Sequence, residues 1–331
     1  MALTKRVHLI GTGGTIAMVK NKKDAYVPAK SAQELIDNVP EVSALCNKKK
    51  RSIELSSETM SSIDSSNITT AHWKALGERV MSAYEKGVEG IVITHGTDTL
   101  QWTAQYLGLS FKNVSIPLVL TGSQIPIGQS GSDGIENLTN AIDVAGCLTP
   151  LNAVSVVFAH KILGYKNLLK TEIWDADAFD TPEYAYYGVI KNRVTQYTQH
   201  FKTPKKTMTY NSDWNFNTDL ITPTPAMDPK RLEHALLGLD GAVIVGYGAG
   251  HVRVEQESLL EVLAAQSIPL IITSPAKGDF DLSRYEVGIK LKKQVIIASN
   301  LTPTYAQMKL QKLLGEKKTY QQIKNAFESN V

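Results

Sequence analysis

Over its first two hundred residues the chain alternates short β-rich runs with windows of helical period, and that alternation calls for a mainly parallel sheet covered by helices. Strands are predicted at Arg6–Ile10, Ser52–Leu55, Gly90–Ile93, Leu118–Leu120 and Ala153–Phe158. Between them, Ser31 opens a helix with Glu34 as its capping-box partner. Thr69 to Lys86 forms another, in which Trp73, Leu76, Val80 and Tyr84 recur at helical spacing, so Trp73 is assigned to the core. Asp98 is expected to cap a third helix, and a fourth is expected from Ser132 to about Ala145.

From Thr203 to Thr218 the periodicity stops while Pro204, Asn211, Asp213, Asn215 and Asn217 collect, which marks a linker. A smaller pattern follows, with strands Leu220–Thr222, Ala242–Val245, Pro269–Ile272 and Val295–Ala298 and helices Pro229–Leu237, Gln256–Ala265 and Pro303–Leu314. The expected fold class is α/β with two α/β domains. Residues 1–203 are expected to form the larger N-terminal domain, a mainly parallel sheet flanked by helices, and residues 204–218 to link it to a smaller α/β domain at 219–331.

Charge and composition narrow the function classes. A net charge of +3 gives no electrostatic footprint for nucleic acid, and the basic run Lys48-Lys49-Lys50-Arg51 reads as a solvated loop. No apolar run approaches the roughly 18 residues that a membrane span needs. Cys46 and Cys147 lie far apart without a Cys-x-x-Cys pair or a His-rich neighbourhood, so both are expected to be reduced and packed, with no metal site. A secretory leader needs a basic stretch and then an apolar run with a cleavage site, yet a strand and its glycine-rich turn begin by Val7; a cytoplasmic protein is expected.

The chemistry is carried by turns that follow strands. Val7-His8-Leu9-Ile10 runs into Gly11-Thr12-Gly13-Gly14-Thr15-Ile16, a glycine-rich loop at the carboxyl end of a strand, where open α/β sheets bind ligands. Its hydroxyls, Thr12 and Thr15, are the groups it is expected to present. A dinucleotide fingerprint would need a small residue at Ile16, and a P-loop would need a Lys-Ser/Thr pair; neither is present, so no cofactor is implied. A second hydroxyl-rich turn, His95-Gly96-Thr97-Asp98-Thr99, follows Gly90–Thr94.

Both turns, together with Ile63-Asp64-Ser65-Ser66, Leu120-Thr121-Gly122-Ser123-Gln124-Ile125-Pro126, Ser132-Asp133-Gly134, Leu169-Lys170-Thr171, Gly246-Tyr247-Gly248-Ala249-Gly250 and Leu301-Thr302-Pro303, resemble the bacterial-type L-asparaginases of the cytoplasmic, type I-like kind. The resemblance runs over nearly the whole chain. It implies asparagine catabolism: hydrolysis of L-asparagine to L-aspartate and ammonia through a threonine nucleophile, without metal or cofactor.

By the same resemblance Thr15 is the attacking residue and Tyr26 its partner, carried on a lid at Val19–Ala25 whose closure would exclude water. Thr97, Asp98 and Lys170 form a second cluster, in which the lysine either relays a proton or acts as a cation beside the threonine. Asp98 would also hold the substrate's α-ammonium. Ser65, with Asp64 and Ser66, matches the turn that binds the α-carboxylate; Ser123 borders the amide side chain, and Gly14 and Gly96 line the site. His95 receives no chemical role and is read as a structural histidine.

In the family a neighbouring subunit closes the site, which implies a homodimer or homotetramer that contacts neither nucleic acid nor membrane. Gly248-Ala249-Gly250-His251 falls where that contact is expected, with His251 in place of the asparagine common among relatives. Asp279, Asp281 and Glu286 are candidates for a partner acid that orients the lid tyrosine. The alternatives are a glutaminase-asparaginase, a related amidase acting on a tRNA-borne residue, or a non-catalytic small-molecule sensor on the same scaffold. The tRNA-dependent relatives carry an additional N-terminal domain, for which 331 residues are expected to leave no room.

Overall fold

The computed structural model describes residues 3–20, 26–28, 31–37, 39–42, 47–48, 51–127, 129–147, 151–199, 201–264, 268–284 and 286–328. The chain divides into two compact units, at Ser212/Asp213.

The first unit is built on a nine-stranded sheet. Its strands in chain order are β1 (Leu3–Gly13), β2 (Asn47–Lys48), β3 (Arg51–Ile63), β4 (Gly90–Thr94), β5 (Leu118–Thr121), β6 (Val154–Phe158), β7 (Lys161–Gly164), β8 (Gly188–Lys191) and β9 (Val194–Tyr197). Across the sheet the order is β9-β8-β7-β6-β5-β4-β1-β3-β2. From β6 to β3 every pairing is parallel, and the remaining pairs at both edges are antiparallel. β4, β5 and β6 are buried at every position, as strands covered on both faces must be, which is why they read as unbroken apolar runs.

Among the described residues the longer helices of this unit are α1 (Ala32–Asp37), α2 (Thr70–Glu85), α3 (Leu100–Ser110) and α4 (Gly134–Ala145). The connection leaving β1 leads toward β3 and the one leaving β4 leads toward β5, on opposite sides. The carboxyl ends of these adjacent strands therefore flank a topological switch point, the place where open α/β sheets leave a crevice.

Several local expectations are corrected. Asp98 does not cap α3: Thr99 holds the N-cap position, and the Asp98 carboxylate is engaged by Lys170 instead. α4 starts at Gly134 rather than Ser132, because Ser132 Oγ donates to Ile125 O and the Asp133 carboxylate accepts the Gln124 and Ile125 N–H groups, pinning both residues to the preceding turn. β3 extends eight residues beyond Leu55, to Ile63. Its polar stretch Ser56–Ser62 carries no apolar alternation and is held by register with β1, Gly11 opposite Thr59 and Gly13 opposite Ile63. At the ends of the basic run the backbone of Lys48 pairs with Arg51, while Lys49 and Lys50 lie outside the described residues. Trp73 is half-buried, not fully in the core, with its ring stacked on Tyr106. Cys147 is half-buried and free, while Cys46 lies outside the described residues.

Part of the expected linker belongs to the first unit. Thr209–Tyr210 pairs with Phe111–Lys112, the Tyr210 ring fills the space over Gly77 of α2, and its hydroxyl lies 2.8 Å from that of Tyr106.

The second unit holds a parallel four-stranded sheet, β10 (Thr218–Ile221), β11 (Gly241–Val245), β12 (Leu270–Thr273) and β13 (Ile296–Ile297), in that order. Helices α5 (Pro229–Leu236), α6 (Val254–Ala264), α7 (Glu286–Gln294), α8 (Pro303–Gly315) and α9 (Tyr320–Glu328) accompany it. α5 and α8 start as their sequences prescribe, with proline in the first turn behind the capping side chains of Asp228 and Thr302. α7 and α9, rich in Lys and Gln, have no counterpart among the helices expected from the sequence. Among the described residues no helix is long and apolar enough to cross a membrane.

Candidate active site

β1 ends in a turn that only glycine can make. Gly13 and Gly14 have φ of 104° and 81°, in the left-handed region. A Cβ on Gly13 would lie 2.5 Å from Ile63 O, and one on Gly14 would lie 2.4 Å from Gly96 Cα and N. The loops after β1 and β4 thus meet backbone against backbone, and Gly14 N–H donates to Ile63 O at 3.1 Å.

Past this contact the chain makes one 3-10 turn, Thr15–Ala17, which buries Ile16 and Ala17 and leaves Thr15 half-exposed. Thr12 is corrected: it is still part of β1, 3% exposed, and its hydroxyl donates inward to Thr94 O at 2.9 Å. Of the two loop hydroxyls, Thr15 is the one presented.

Thr15 opens onto a cavity of about 200 Å³, below the roughly 300–1,000 Å³ of drug-sized sites and suited to a ligand of amino-acid size. Of the expected site residues, Gly14, Thr15, Asp64, Ser65, Gly96, Thr97 and Asp98 line it. Lys170, outside the lining, stands on a short strand, Leu169–Lys170, with Nζ 2.9 Å from Thr97 Oγ1 and 2.8 Å from Asp98 Oδ1. Its backbone N–H is held by Gln101 Oε1 at 2.7 Å.

Ser65 stands in a 3-10 turn capped by Asp64, whose carboxylate accepts the Ser66 N–H at 2.9 Å. Thr99 Oγ1 donates to Ser65 O at 2.8 Å, tying that turn to the β4 loop. Ser66 itself is exposed and outside the lining. Ser123 is fully buried and also outside it, and among the described residues its hydroxyl has no hydrogen-bond partner. The Tyr26 backbone pairs with Lys20 in a short antiparallel ladder; the Tyr26 side chain and residues 21–25 of the expected lid lie outside the described residues.

His95 is completely buried. Burial pulls its imidazole down from the usual 6.5 to about 4, against the upward pull of its bond to the Gly96 carbonyl, so the ring is neutral at pH 7. Nδ1 lies 2.7 Å from Gly96 O and Nε2 2.9 Å from Thr103 Oγ1, which also accepts the Trp73 indole N–H at 2.9 Å.

Sequence reasoning missed Met18, Ser62 and Ile63 in the lining, and Gln101 behind Lys170. Gln101 is the second residue of α3 and belongs to no motif that marks it, so its bond to the Lys170 backbone could be seen only in the structure.

In the second unit, His251 Nδ1 lies 3.0 Å from Glu257 Oε1, and Glu257 is 2% exposed. Asp281 bonds Lys292 Nζ at 2.7 Å and Ser283; these bonds hold its carboxyl far below the ordinary range. Asp279 accepts from Asn300, and the Glu286 side chain lies outside the described residues. Among the described residues no three His, Cys, Asp or Glu side chains converge as a metal site requires.

Two threonine hydroxyls, one beside a lysine ammonium, thus share a small cavity with the carboxylates of Asp64 and Asp98. Threonine is a weak nucleophile unless a neighbour activates it, so this arrangement fits acyl transfer assisted by an adjacent cluster.

The family model described as Asparaginase, N-terminal matches residues 6–202, and that described as Glutaminase/Asparaginase C-terminal domain matches residues 217–327. An L-asparaginase of Thermococcus kodakarensis is 31% identical over 327 residues, 98% of this chain and 97% of that one. A glutamyl-tRNA(Gln) amidotransferase polypeptide of Aeropyrum pernix is 28% identical over 348 residues, 99% of this chain and 78% of that one. Among solved structures, the thermostable L-asparaginase from Thermococcus kodakarensis matches with a TM-score of 0.88 at 28% identity, over 98% of this chain and 97% of that one. A probable cytoplasmic L-asparaginase from Campylobacter jejuni matches with a TM-score of 0.79 at 27% identity, over 98% and 99%.

Proposed function

The chain belongs to the asparaginase family and hydrolyses L-asparagine to L-aspartate and ammonia, and we propose that Thr15 is the residue that attacks the side-chain amide. In the first half-reaction the Thr15 hydroxyl oxygen bonds to the amide carbon, its proton passes to the departing nitrogen, and ammonia leaves an ester on the enzyme. In the second, water attacks that ester, aspartate is released and the hydroxyl is restored. Thr97, hydrogen-bonded to Lys170, orients and polarises that water. Asp98 holds the α-ammonium, and Ser65 with Asp64 takes the α-carboxylate, Ser66 serving only through its N–H bond to Asp64. Tyr26 is the partner of Thr15, and Ser123, fully buried outside the lining, is given no contact with the amide.

The observation that carries this reading is the Gly14–Gly96 backbone approach, beside which Thr15 and Thr97 both line one cavity. The test is steady-state ammonia release by Thr15→Ala and Thr97→Val. Each variant should lose at least the ~10²–10⁴-fold typical of removing a general base. Near-normal release by both would refute the assignment.

A second reading, amide hydrolysis on glutamine or on a tRNA-borne residue, draws on the amidotransferase relatives. Turnover of free Asn, free Gln and mischarged tRNA, compared side by side, separates the two. A cytoplasmic location is part of the proposal, supported by the likeness to the probable cytoplasmic enzyme of Campylobacter jejuni. So is a homodimer or homotetramer; the adjacent exposed side chains Ile173 and Trp174, on the loop after Lys170, are apolar surface of the kind that self-association covers.

A further inference from the structure

We propose that Trp73, Thr103 and His95 form a positioning relay that fixes the Gly96 carbonyl and, through it, the orientation in which Thr97 enters the cavity. The relay rests on the assignment of Thr97 to the active site and adds residues to which no role in the reaction is otherwise given.

Each link has one possible direction. The Gly96 carbonyl can only accept, so His95 Nδ1 carries the proton. A neutral imidazole has a single N–H, which leaves Nε2 as an acceptor, and Thr103 must spend its one hydroxyl proton there. The Trp73 indole can only donate, so it occupies a lone pair of Thr103 Oγ1 and leaves that proton facing His95. The chain of donors therefore runs Trp73 on α2, Thr103 on α3, His95 after β4, Gly96 carbonyl.

The end of the relay matters because Gly96 has no side chain to hold it and is otherwise fixed here by backbone packing against Gly14. A Cβ there would stand 2.6 Å from Ser65 Oγ, and Gly14 presses on the same backbone, so no side chain can anchor this residue. Packing against Gly14 limits where this backbone can lie, and holding the carbonyl sets how its peptide plane is turned. The peptide unit is planar and trans, so with the Gly96 C=O turned toward the imidazole the Thr97 N–H points the opposite way. The plane also sets where the Thr97 side chain leaves the backbone, and Thr97 Oγ1 meets Lys170 at 2.9 Å from there.

A histidine that merely fills the core would affect stability and leave turnover per folded molecule alone. The test uses the full chain with Thr103→Val, Thr103→Ser and Trp73→Phe. It reads kcat and KM for asparagine, the thermal midpoint, and the imidazole tautomer by long-range proton–nitrogen NMR.

Thr103→Val should lower kcat by about 10–100-fold, the scale of a displaced catalytic group, with KM within about threefold. Thr103→Ser, which keeps the hydroxyl, should stay within about threefold of the unsubstituted protein, and Trp73→Phe should show a smaller loss in kcat. The unsubstituted protein should hold His95 as the Nδ1–H tautomer alone. Equal kcat in the Val and Ser variants, or a proton on Nε2 in the unsubstituted protein, overturns the relay. If Thr103→Val does not fold, unchanged kcat in Trp73→Phe overturns it. Should the unsubstituted protein release no ammonia from asparagine, the substrate reading fails, while the tautomer still decides the relay.

Discussion

Lys170 and His95 are both polar groups withdrawn from water, yet they are held for different ends. Lys170 pairs with an Asp98 side chain that is 65% exposed, so solvent screens the pair and its contribution to stability is small, at most about 1 kcal/mol. Lys170→Met should therefore unfold at nearly the same denaturant concentration as the unsubstituted protein while ammonia release falls on the order of 10²–10⁴-fold. His95 behaves in the opposite way. Its folded pKa of about 4 lies below the ordinary 6.5 of the unfolded chain, so between those values the unfolded state binds the extra proton. Its contribution is complete above pH 6.5 and is lost as pH falls toward 4, a change of about 3 kcal/mol. Urea unfolding across that range should show the decline, and His95→Gln should flatten it. The identities of both residues were legible in their motifs. The burial that separates their roles was not, because it depends on side chains from other elements.

At the scale of elements, the site exists because two strand-ending loops touch. Gly14 has a left-handed φ of 81° and faces Gly96 backbone at a distance that admits no Cβ. Gly14→Ala is expected to cost more than about 1 kcal/mol in stability and to lose most of its turnover, since the β1 and β4 loops must part to make room. Unfolding curves and ammonia assays on that variant check both. The apolar strands β4, β5 and β6 were readable because burial on both faces leaves an unbroken hydrophobic run. The second half of β3 was not, because Ser56–Ser62 is set by pairing with β1 and carries no pattern of its own. The start of α3 departs from its sequence expectation for a related reason: Asp98 looks like a cap locally, and a lysine 72 residues away takes its carboxylate.

At the scale of the whole molecule, every residue lining the cavity comes from the first unit, so the assembly proposed for this chain concerns how the site is closed rather than where its hydroxyls stand. Light scattering should give a mass of two or four times 36.3 kDa, and specific activity should fall when dilution drives the chain to monomer. Full activity in a dilute monomer would contradict the assembly. By itself the sequence determined the two α/β units, the glycine turn after the first strand and the stock of hydroxyl, carboxylate and amine groups, because these follow from local periodicity, backbone freedom and residue chemistry. Only the tertiary structure decided that Thr15 faces the cavity while Thr12 turns inward to Thr94, that Gly14 rests on Gly96, and that Lys170 arrives beside Thr97. The direction of a side chain in a turn is set by what packs against it, and those neighbours lie tens of residues away along the chain.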